Sequence, residues 1–231
     1  MVSAPVETVA TPHIVTLRDV RASRKIRAYI EKANEQMAAI GYTEHGLRHS
    51  ALVAAIARNT CTALGMEARA AELAAIAGYL HDIGCVVSRF THPQIGATMA
   101  FVLLNEMGMD ASEIALIIGA IGNHEEPEGE PINTTTAALI LADKSDVHYT
   151  RVQNPNPATY DIHDRVNLAV QKSRLDVNAE LRSITLDLQV DISVATVMEY
   201  FEIFVERMVM CRKAAEVLSC RFHLHINGHE L

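Results

Sequence analysis

The sequence predicts a mainly α-helical protein that carries a small α+β unit at its C-terminal end. Over most of the chain, apolar residues recur at the three- and four-residue spacing of helices, whereas a segment after residue 172 alternates apolar and polar residues. With 231 residues, 49% of them apolar, the chain can bury a core without disulfide or metal staples. We therefore expect a lead-in over residues 1–18, a helical domain over 19–172 and an appendage over 173–231.

The composition of the chain argues against several classes of function. The chain has 20 Lys and Arg against 28 Asp and Glu, a formal net charge of −8, which argues against binding a nucleic-acid duplex, because such binding neutralises phosphates with basic side chains. No apolar run approaches the roughly 18 residues of a membrane span, and the first eleven residues show no signal-peptide pattern. The four cysteines form no CxxC pair, which argues against a disulfide framework or thiolate zinc site. We expect a cytoplasmic protein without a membrane partner.

The predicted helices of the larger domain are bounded by residues that start or stop helices. Gly41 and Gly65 follow the first two, and Pro93 lies in the first turn of the fourth, where a missing N–H is tolerated. Asp110 or Ser112 is expected to cap the fifth. The apolar periodicity predicts helices at residues 19–40, 46–64, 67–82, 93–108, 111–122 and 134–148.

The appendage is predicted to have the order β-β-α-β. Its second strand alternates Ile, Leu and Val with Thr, Asp and Gln, and the segment before that strand is the expected hairpin partner. The long helix has an apolar side, which predicts either core packing or a dimer contact. The sequence is therefore compatible with a homodimer. The segments are a polar break at 152–159, a short helix at 161–172, strands at 173–181 and 184–192, the long helix at 193–219 and a closing strand at 221–228.

Histidine and aspartate residues lie in series at the ends of the apolar helices or inside them. A carboxylate such as Asp143, within ALILADK, cannot be buried without a partner, because desolvating it costs several kcal/mol. A divalent cation supplies such a partner, and mixed imidazole and carboxylate donors suit first-row transition metals. The six candidate ligands are His49, His81, Asp82, His92, His124 and Asp143.

This series resembles the HD-domain superfamily of metal-dependent phosphohydrolases, whose pattern is H…HD…D. The resemblance covers about residues 30–150 and includes the local contexts HDIG at 81–84 and ADK at 142–144. It implies a helical bundle that binds a metal ion. The ligands of that ion would be His49, His81, Asp82 and Asp143.

Two further histidines resemble the dinuclear branch of the superfamily, which includes the HD-GYP phosphodiesterases and the mixed-valent di-iron oxygenases. His92 in HPQIGA and His124 in NHEE would complete a second metal site, with Asp82 as the bridge. The GYP element is replaced by PEGEP, which disfavours a cyclic-di-GMP phosphodiesterase. The resemblance implies two divalent transition metals as cofactor, with Fe or Mn favoured over Co, Ni or Zn.

The implied activity is hydrolysis of a small-molecule phosphate mono- or diester, nucleotides included, by metal-activated water. Asp82, as the bridge, and Lys144 are the catalytic candidates. Lys144, His148 and Arg151 follow the last ligand at i, i+4 and i+7 spacing. On a continuing helix these three would share one face and bind the substrate phosphate.

Two other functions have the same ligand set. A di-iron centre can activate oxygen, as the oxygenase branch of the superfamily implies. A non-catalytic sensor or scaffold would bind metal and use the appendage for interaction. Assays with and without oxygen separate the two enzymatic functions, and the absence of turnover on any phosphate ester would indicate the scaffold.

Other polar residues near this series have simpler interpretations. His45 and Arg48 are expected either near the metals or in capping and ion-pair contacts. The second HD dipeptide, His163-Asp164, lies in a polar segment and is predicted to be at the surface or to cap a helix. A solvated loop is predicted for Glu125, Glu126, Glu128 and Glu130.

Overall fold

A computed structural model describes residues 14–231, so residues 1–13 of the predicted lead-in lie outside the described residues. The described part is mainly helical and has a small C-terminal sheet, which confirms the predicted fold class. The helices are α1 (Leu17–Ala22), α2 (Arg24–Ala39), α3 (Leu47–Ala63), α4 (Ala68–Leu80), α5 (His92–Glu106), α6 (Ala111–Gly122), α7 (Thr134–Lys144), α8 (Ile162–Ala169) and α9 (Val197–Val217). The strands are β1 (Val170–Asn178), β2 (Ser183–Val190), β3 (Arg221–Ile226) and β4 (His229–Glu230).

Several helix bounds differ from the sequence prediction, among them those of α2, α7 and α8. The segment 19–40 is divided because Ser23 has an extended backbone and its hydroxyl accepts the N–H of Ile26, which caps α2. Helix α7 ends at Lys144 rather than at residue 148, and Ser145 is its C-cap. Helix α8 ends at Ala169, where the chain enters β1 directly, so the first strand begins three residues before the predicted position.

Helix α7 is the central element of the fold. Every residue from Thr135 to Lys144 is buried, as expected for a helix that is apolar on all sides. One side of α7, including Leu139, packs into the core formed with α3, α4 and α6. The other side, including Ile140 and Leu141, packs against α9 and the C-terminal sheet. The appendage therefore shares a core with the helical domain, although the predicted boundary at residue 172 itself stays a prediction.

The sheet has the order β1-β2-β3-β4. β1 and β2 pair antiparallel, β2 and β3 pair parallel, and α9 forms the crossover between them. The alternating residues Ile184, Leu186 and Leu188 point into the core, as their period of two predicts. β4 adds two residues antiparallel to β3, which the predicted single closing strand did not include. On α9, Phe204 and Cys211 of the predicted apolar side are core residues, whereas Val205 is about half exposed, at 51%.

A close backbone approach brings the end of α4 to the beginning of α5. After α4 the chain makes a short 3₁₀ turn, Ile83–Val86. A Cβ atom built on Gly84 would lie 2.1 Å from the carbonyl oxygen of His92 and 2.5 Å from the amide nitrogen of Gly96. Only glycine fits at this contact, and the contact places Asp82 beside His92.

Among the described helices, none combines the length and apolar character needed to cross a membrane.

Candidate metal centre

Six side chains from five segments meet between the helices. His49 lies on α3, His81 and Asp82 follow α4, His92 begins α5, His124 follows α6, and Asp143 lies on α7. All six residues are buried. Each lies at the end of an apolar helix or within one, so packing the helices against each other brings the polar ends to one place. The structure thus brings together all six candidate ligands, and their binding of metal stays a prediction.

The first group of donor atoms contains two histidines and two carboxylates. The Nε2 atoms of His49 and His81 lie 3.2 Å apart. Asp82 Oδ2 is 3.4 Å from His49 Nε2 and 3.1 Å from His81 Nε2. Asp143 Oδ1 is 3.3 Å and 3.5 Å from the same two nitrogens. The ligand atoms of His49, His81 and Asp82 lie within 4.8 Å of one another, and so do those of His81, His124 and Asp143, which suits a small cation.

The second group uses the other oxygen of Asp82. Asp82 Oδ1 lies 3.3 Å from His92 Nε2 and 3.9 Å from His124 Nε2. These two nitrogens are 3.2 Å apart. Asp82 therefore directs one carboxylate oxygen into each group, which is the arrangement of a bridging ligand.

The outer ring nitrogens determine which atom of each histidine is available. His81 Nδ1 donates to the Gly78 carbonyl at 2.8 Å, His92 Nδ1 to the Arg89 carbonyl at 2.8 Å, and His124 Nδ1 to the Ile121 carbonyl at 2.7 Å. Because a carbonyl oxygen only accepts, Nδ1 carries the hydrogen, and the neutral ring has a lone pair on Nε2. Two such lone pairs 3.2 Å apart repel each other unless a cation lies between them. The donor set therefore fits bound metal ions.

The charges of the buried carboxylates also require a positive charge at the centre. Burial lowers the pKa of His49 and His81, but hydrogen bonds and charges of the neighbouring aspartates outweigh burial and raise these values to about 9 and about 10. Burial opposes ionisation of Asp82, yet the charge of His81 holds its pKa well below the usual range. At His124, burial and the charge of His81 lower the pKa to about 3. The carboxylates thus require positive charge at the first group, which protons or a bound cation supply.

Residues 46–149 match the family model for the HD domain, and all six candidate ligands lie within this range. This part of the chain, somewhat less than half of its length, is similar to the HD domain. The family resemblance predicted from the H…HD…D series is thereby confirmed, while membership of the dinuclear branch stays a prediction.

Two relatives give the extent of the similarity. Over 108 residues the chain is 35% identical to ribonuclease Y of Lawsonia intracellularis, and the alignment covers 46% of this chain and 18% of that protein. The aligned part is thus less than a fifth of the length of this curated relative. Among solved structures, a predicted HD superfamily hydrolase from an uncultured Thermotogales bacterium is 26% identical, with a TM-score of 0.43, over 54% of this chain and 68% of that chain.

Asp146 supports the HD domain's first ligand and was not predicted from the sequence. Its Oδ2 accepts the Nδ1 hydrogen of His49 at 2.7 Å and pairs with Arg48 Nη2 at 2.9 Å. Burial opposes its ionisation, but the hydrogen bond from His49 and the charge of Arg151 lower its pKa. The only sequence signal was its position three residues after Asp143. Asp146 holds the His49 ring with Nε2 facing the other ligands.

Replacing Asp146 with asparagine should lower metal affinity about 10- to 100-fold, the usual effect of losing such an outer partner. The amide keeps the size of the side chain but loses the charge that orients His49. Titration of the metal-free protein with Mn²⁺ measures the effect. Asp176→Asn, at a partly exposed residue of β1, is the matched control, and equal affinities in the two variants would contradict the role of Asp146.

Lys144 lies inside an ion-pair network behind the ligands. Its Nζ atom is 2.8 Å from Asp143 Oδ2, 2.9 Å from Glu125 Oε2 and 2.8 Å from Glu126 Oε2, and its side chain is 1% exposed. Burial lowers the pKa of Lys144, but these carboxylates outweigh burial and raise it. The ammonium group donates a hydrogen bond to Glu125 and is ion-paired with the other two carboxylates. A direct contact with substrate stays a prediction, and it would require one of these bonds to break.

The predicted helix face of Lys144, His148 and Arg151 does not exist. Because α7 ends at Lys144, Arg151 lies on a separate 3₁₀ turn, where its guanidinium donates to the carbonyls of Glu44 and Asp146. His148 binds the Gln171 carbonyl through Nε2 at 3.2 Å. Both residues are engaged with the chain itself, and their assignment as substrate ligands stays a prediction.

The predicted solvated loop is wrong for its first two glutamates. Glu125 and Glu126 are both paired with Lys144. Glu125 Oε1 also accepts from Arg89 Nη2 at 2.5 Å, and Glu126 Oε1 from Arg207 Nε at 2.9 Å. These ion pairs draw the two side chains inward, whereas Glu128 and Glu130 are exposed as predicted.

Proposed function

We propose that this protein is a metal-dependent phosphohydrolase whose six ligands hold two divalent cations. The observation that carries the proposal is the position of Asp82, since its two oxygens face two separate groups of histidine nitrogens. His49, His81, Asp82 and Asp143 would hold the first ion, and Asp82, His92 and His124 the second. Bound ions of this kind lower the pKa of water and bind phosphoryl oxygens, and imidazole and carboxylate ligands suit Fe, Mn, Co, Ni or Zn.

The chain itself contributes fixed geometry. The Nδ1 bonds to carbonyls and to Asp146 hold the four imidazoles in one tautomer and orientation. Lys144 binds the oxygen of Asp143 that does not face the histidines and so leaves Oδ1 for the first group. This arrangement needs little rearrangement when charge develops on a substrate phosphoryl group.

His45 provides an acceptor beside the ligands. Its Nδ1 donates to the Thr43 carbonyl at 2.5 Å, and burial lowers its pKa to about 3, so the ring is neutral. No hydrogen bond of the described residues uses its Nε2. The ring centroid lies 5.9 Å from that of His49. Nε2 is thus available to accept a hydrogen bond from water or from a substrate hydroxyl group.

Metal content and phosphatase activity test the proposal together. Anaerobically purified protein should contain two transition metals per chain and hydrolyse p-nitrophenyl phosphate or bis(p-nitrophenyl) phosphate without oxygen. A chelator should abolish the activity, and added Mn²⁺ or Fe²⁺ should restore it. Turnover that requires oxygen would indicate the oxygenase instead, and a fully loaded protein without turnover on any phosphate ester would indicate the sensor or scaffold.

A further inference from the structure

A cavity of about 270 Å³ opens beside both ends of the ligand cluster. His45 lines it, and its ring lies against that of the ligand His49. Arg89 also lines it, and its Nη1 is 2.9 Å from Nδ1 of the ligand His92. A molecule in this cavity, which we call the mouth cavity, is therefore next to the proposed metal centre.

The other wall of the mouth cavity comes from α8 and α9. Asp161 and His163 belong to the start of α8, and Arg207 belongs to α9. Within the range 46–149 that matches the family model, Arg89 is the lining residue, and segments before and after this range supply the others. This position places α8 and α9 beside whatever enters the cavity.

Arg207 is held rigidly but keeps free donors. Its Nε donates to Glu126 at 2.9 Å, and its guanidinium carbon lies 4.6 Å from the centre of the Phe204 ring. No hydrogen bond of the described residues uses its two terminal nitrogens, and 21% of the side chain is exposed. A guanidinium fixed in this way presents two parallel N–H groups, which is the geometry that binds carboxylate or phosphate.

The unused donors of the cavity wall favour an anion. Arg89 and Arg207 line the cavity with Asp161, and although Glu125 and Glu126 pair with the two guanidinium groups, the terminal nitrogens of Arg207 keep free N–H groups. The Asp161 carboxylate accepts the amide N–H of Asp164 at 2.9 Å and so caps α8. The ring of His163 makes no hydrogen bond with the described residues and is a second free polar group on the same wall.

We propose that Arg207 and His163 form a second anion subsite, which binds an acidic group of the substrate other than the phosphoryl group received by the ligand cluster. The inference rests on the proposed function and narrows its substrate class to compact phosphate esters that carry a further carboxylate or phosphate. The cavity is smaller than the roughly 300–1,000 Å³ pockets of larger ligands, which agrees with a compact molecule.

Calorimetric titration of the metal-loaded full chain tests the subsite without turnover. Methylphosphonate has one anionic group. Phosphonoacetate and 3-phosphonopropionate add a carboxylate at an increasing distance from the phosphonate, and all three ligands are titrated without oxygen. At least one carboxylated ligand should bind roughly tenfold tighter than methylphosphonate, the gain expected from a charge-assisted contact. His163→Ala should remove this gain and leave methylphosphonate affinity unchanged, and Arg207→Gln should also remove the gain.

His163→Ala is the decisive variant because the ring makes no hydrogen bond with the described chain, and His229→Ala, on exposed β4, is its matched control. Equal affinity for all three ligands would overturn the subsite alone. Equal losses for methylphosphonate and the carboxylated ligands in His163→Ala would also overturn it, since His163 would then act on the phosphoryl group. Binding of no ligand would contradict the subsite and the proposed function together.

Discussion

Replacing Asp82 with alanine should remove both metals and reduce phosphatase activity to background. Asp82 is the residue whose two oxygens reach both groups of histidines, at 3.1 Å from His81 and 3.3 Å from His92. Without it, the first group keeps Asp143 as its one carboxylate and the second group keeps imidazoles alone, which provide weaker charge compensation for divalent ions. Elemental analysis of the purified variant measures the metal per chain.

Two further variants make this test specific. His124→Ala removes a ligand of the second group only, so one metal per chain should remain. Asp176→Ala changes a partly exposed carboxylate that pairs with Arg174 on β1 and should retain both metals. Unchanged metal content in His124→Ala would contradict a dinuclear centre, and full metal content in Asp82→Ala would contradict the bridging role.

Replacing Lys144 with methionine should lower the free energy of unfolding by about 3–5 kcal/mol, the cost of leaving buried charges without their partner. Three carboxylates, of Asp143, Glu125 and Glu126, lie within 2.9 Å of its ammonium group. Methionine fills a similar volume, so the decrease in the free energy of unfolding would come from the lost charge rather than from a cavity. Urea unfolding of the chelator-treated protein measures the effect independently of bound metal.

Lys213→Met is the matched control, since Lys213 pairs with Glu130 at 2.7 Å with both side chains about half exposed. Loss of this pair should cost at most about 1 kcal/mol. An unchanged stability of Lys144→Met, with a raised KM, would contradict the structural role and favour the predicted substrate contact.

The candidate ligands could be predicted from the sequence because each is marked by its immediate neighbours. A histidine or aspartate at the end of an apolar helix is recognised from a few adjacent residues, as in YLHDIG around His81 and Asp82. Helix packing then brings such ends together, since buried polar groups need partners. The structure brings all six predicted residues together for this reason.

The network around the ligands was missed because its pairs are distant along the chain. His49 and Asp146 are 97 residues apart, and Arg207 and Glu126 are 81 apart. Asp146, Arg207 and Glu126 each have, taken alone, the pattern of an ordinary surface charge. Only the packing of α9 on α7 brings Arg207 close to the acidic loop and to the metal centre.

The end of α7 shows the same division between local and tertiary causes. The apolar run TTTAALILADK predicts a buried helix, but its polar continuation gives no local stop before residue 148. The helix ends at Lys144 because Asp146 turns toward His49, and its carbonyl accepts a hydrogen bond from Arg151. The sequence by itself thus determined the fold class and the candidate ligands, through local periodicity and helix ends. The tertiary structure decided which charges support these candidate ligands and which residues line the mouth cavity, because those contacts join distant segments.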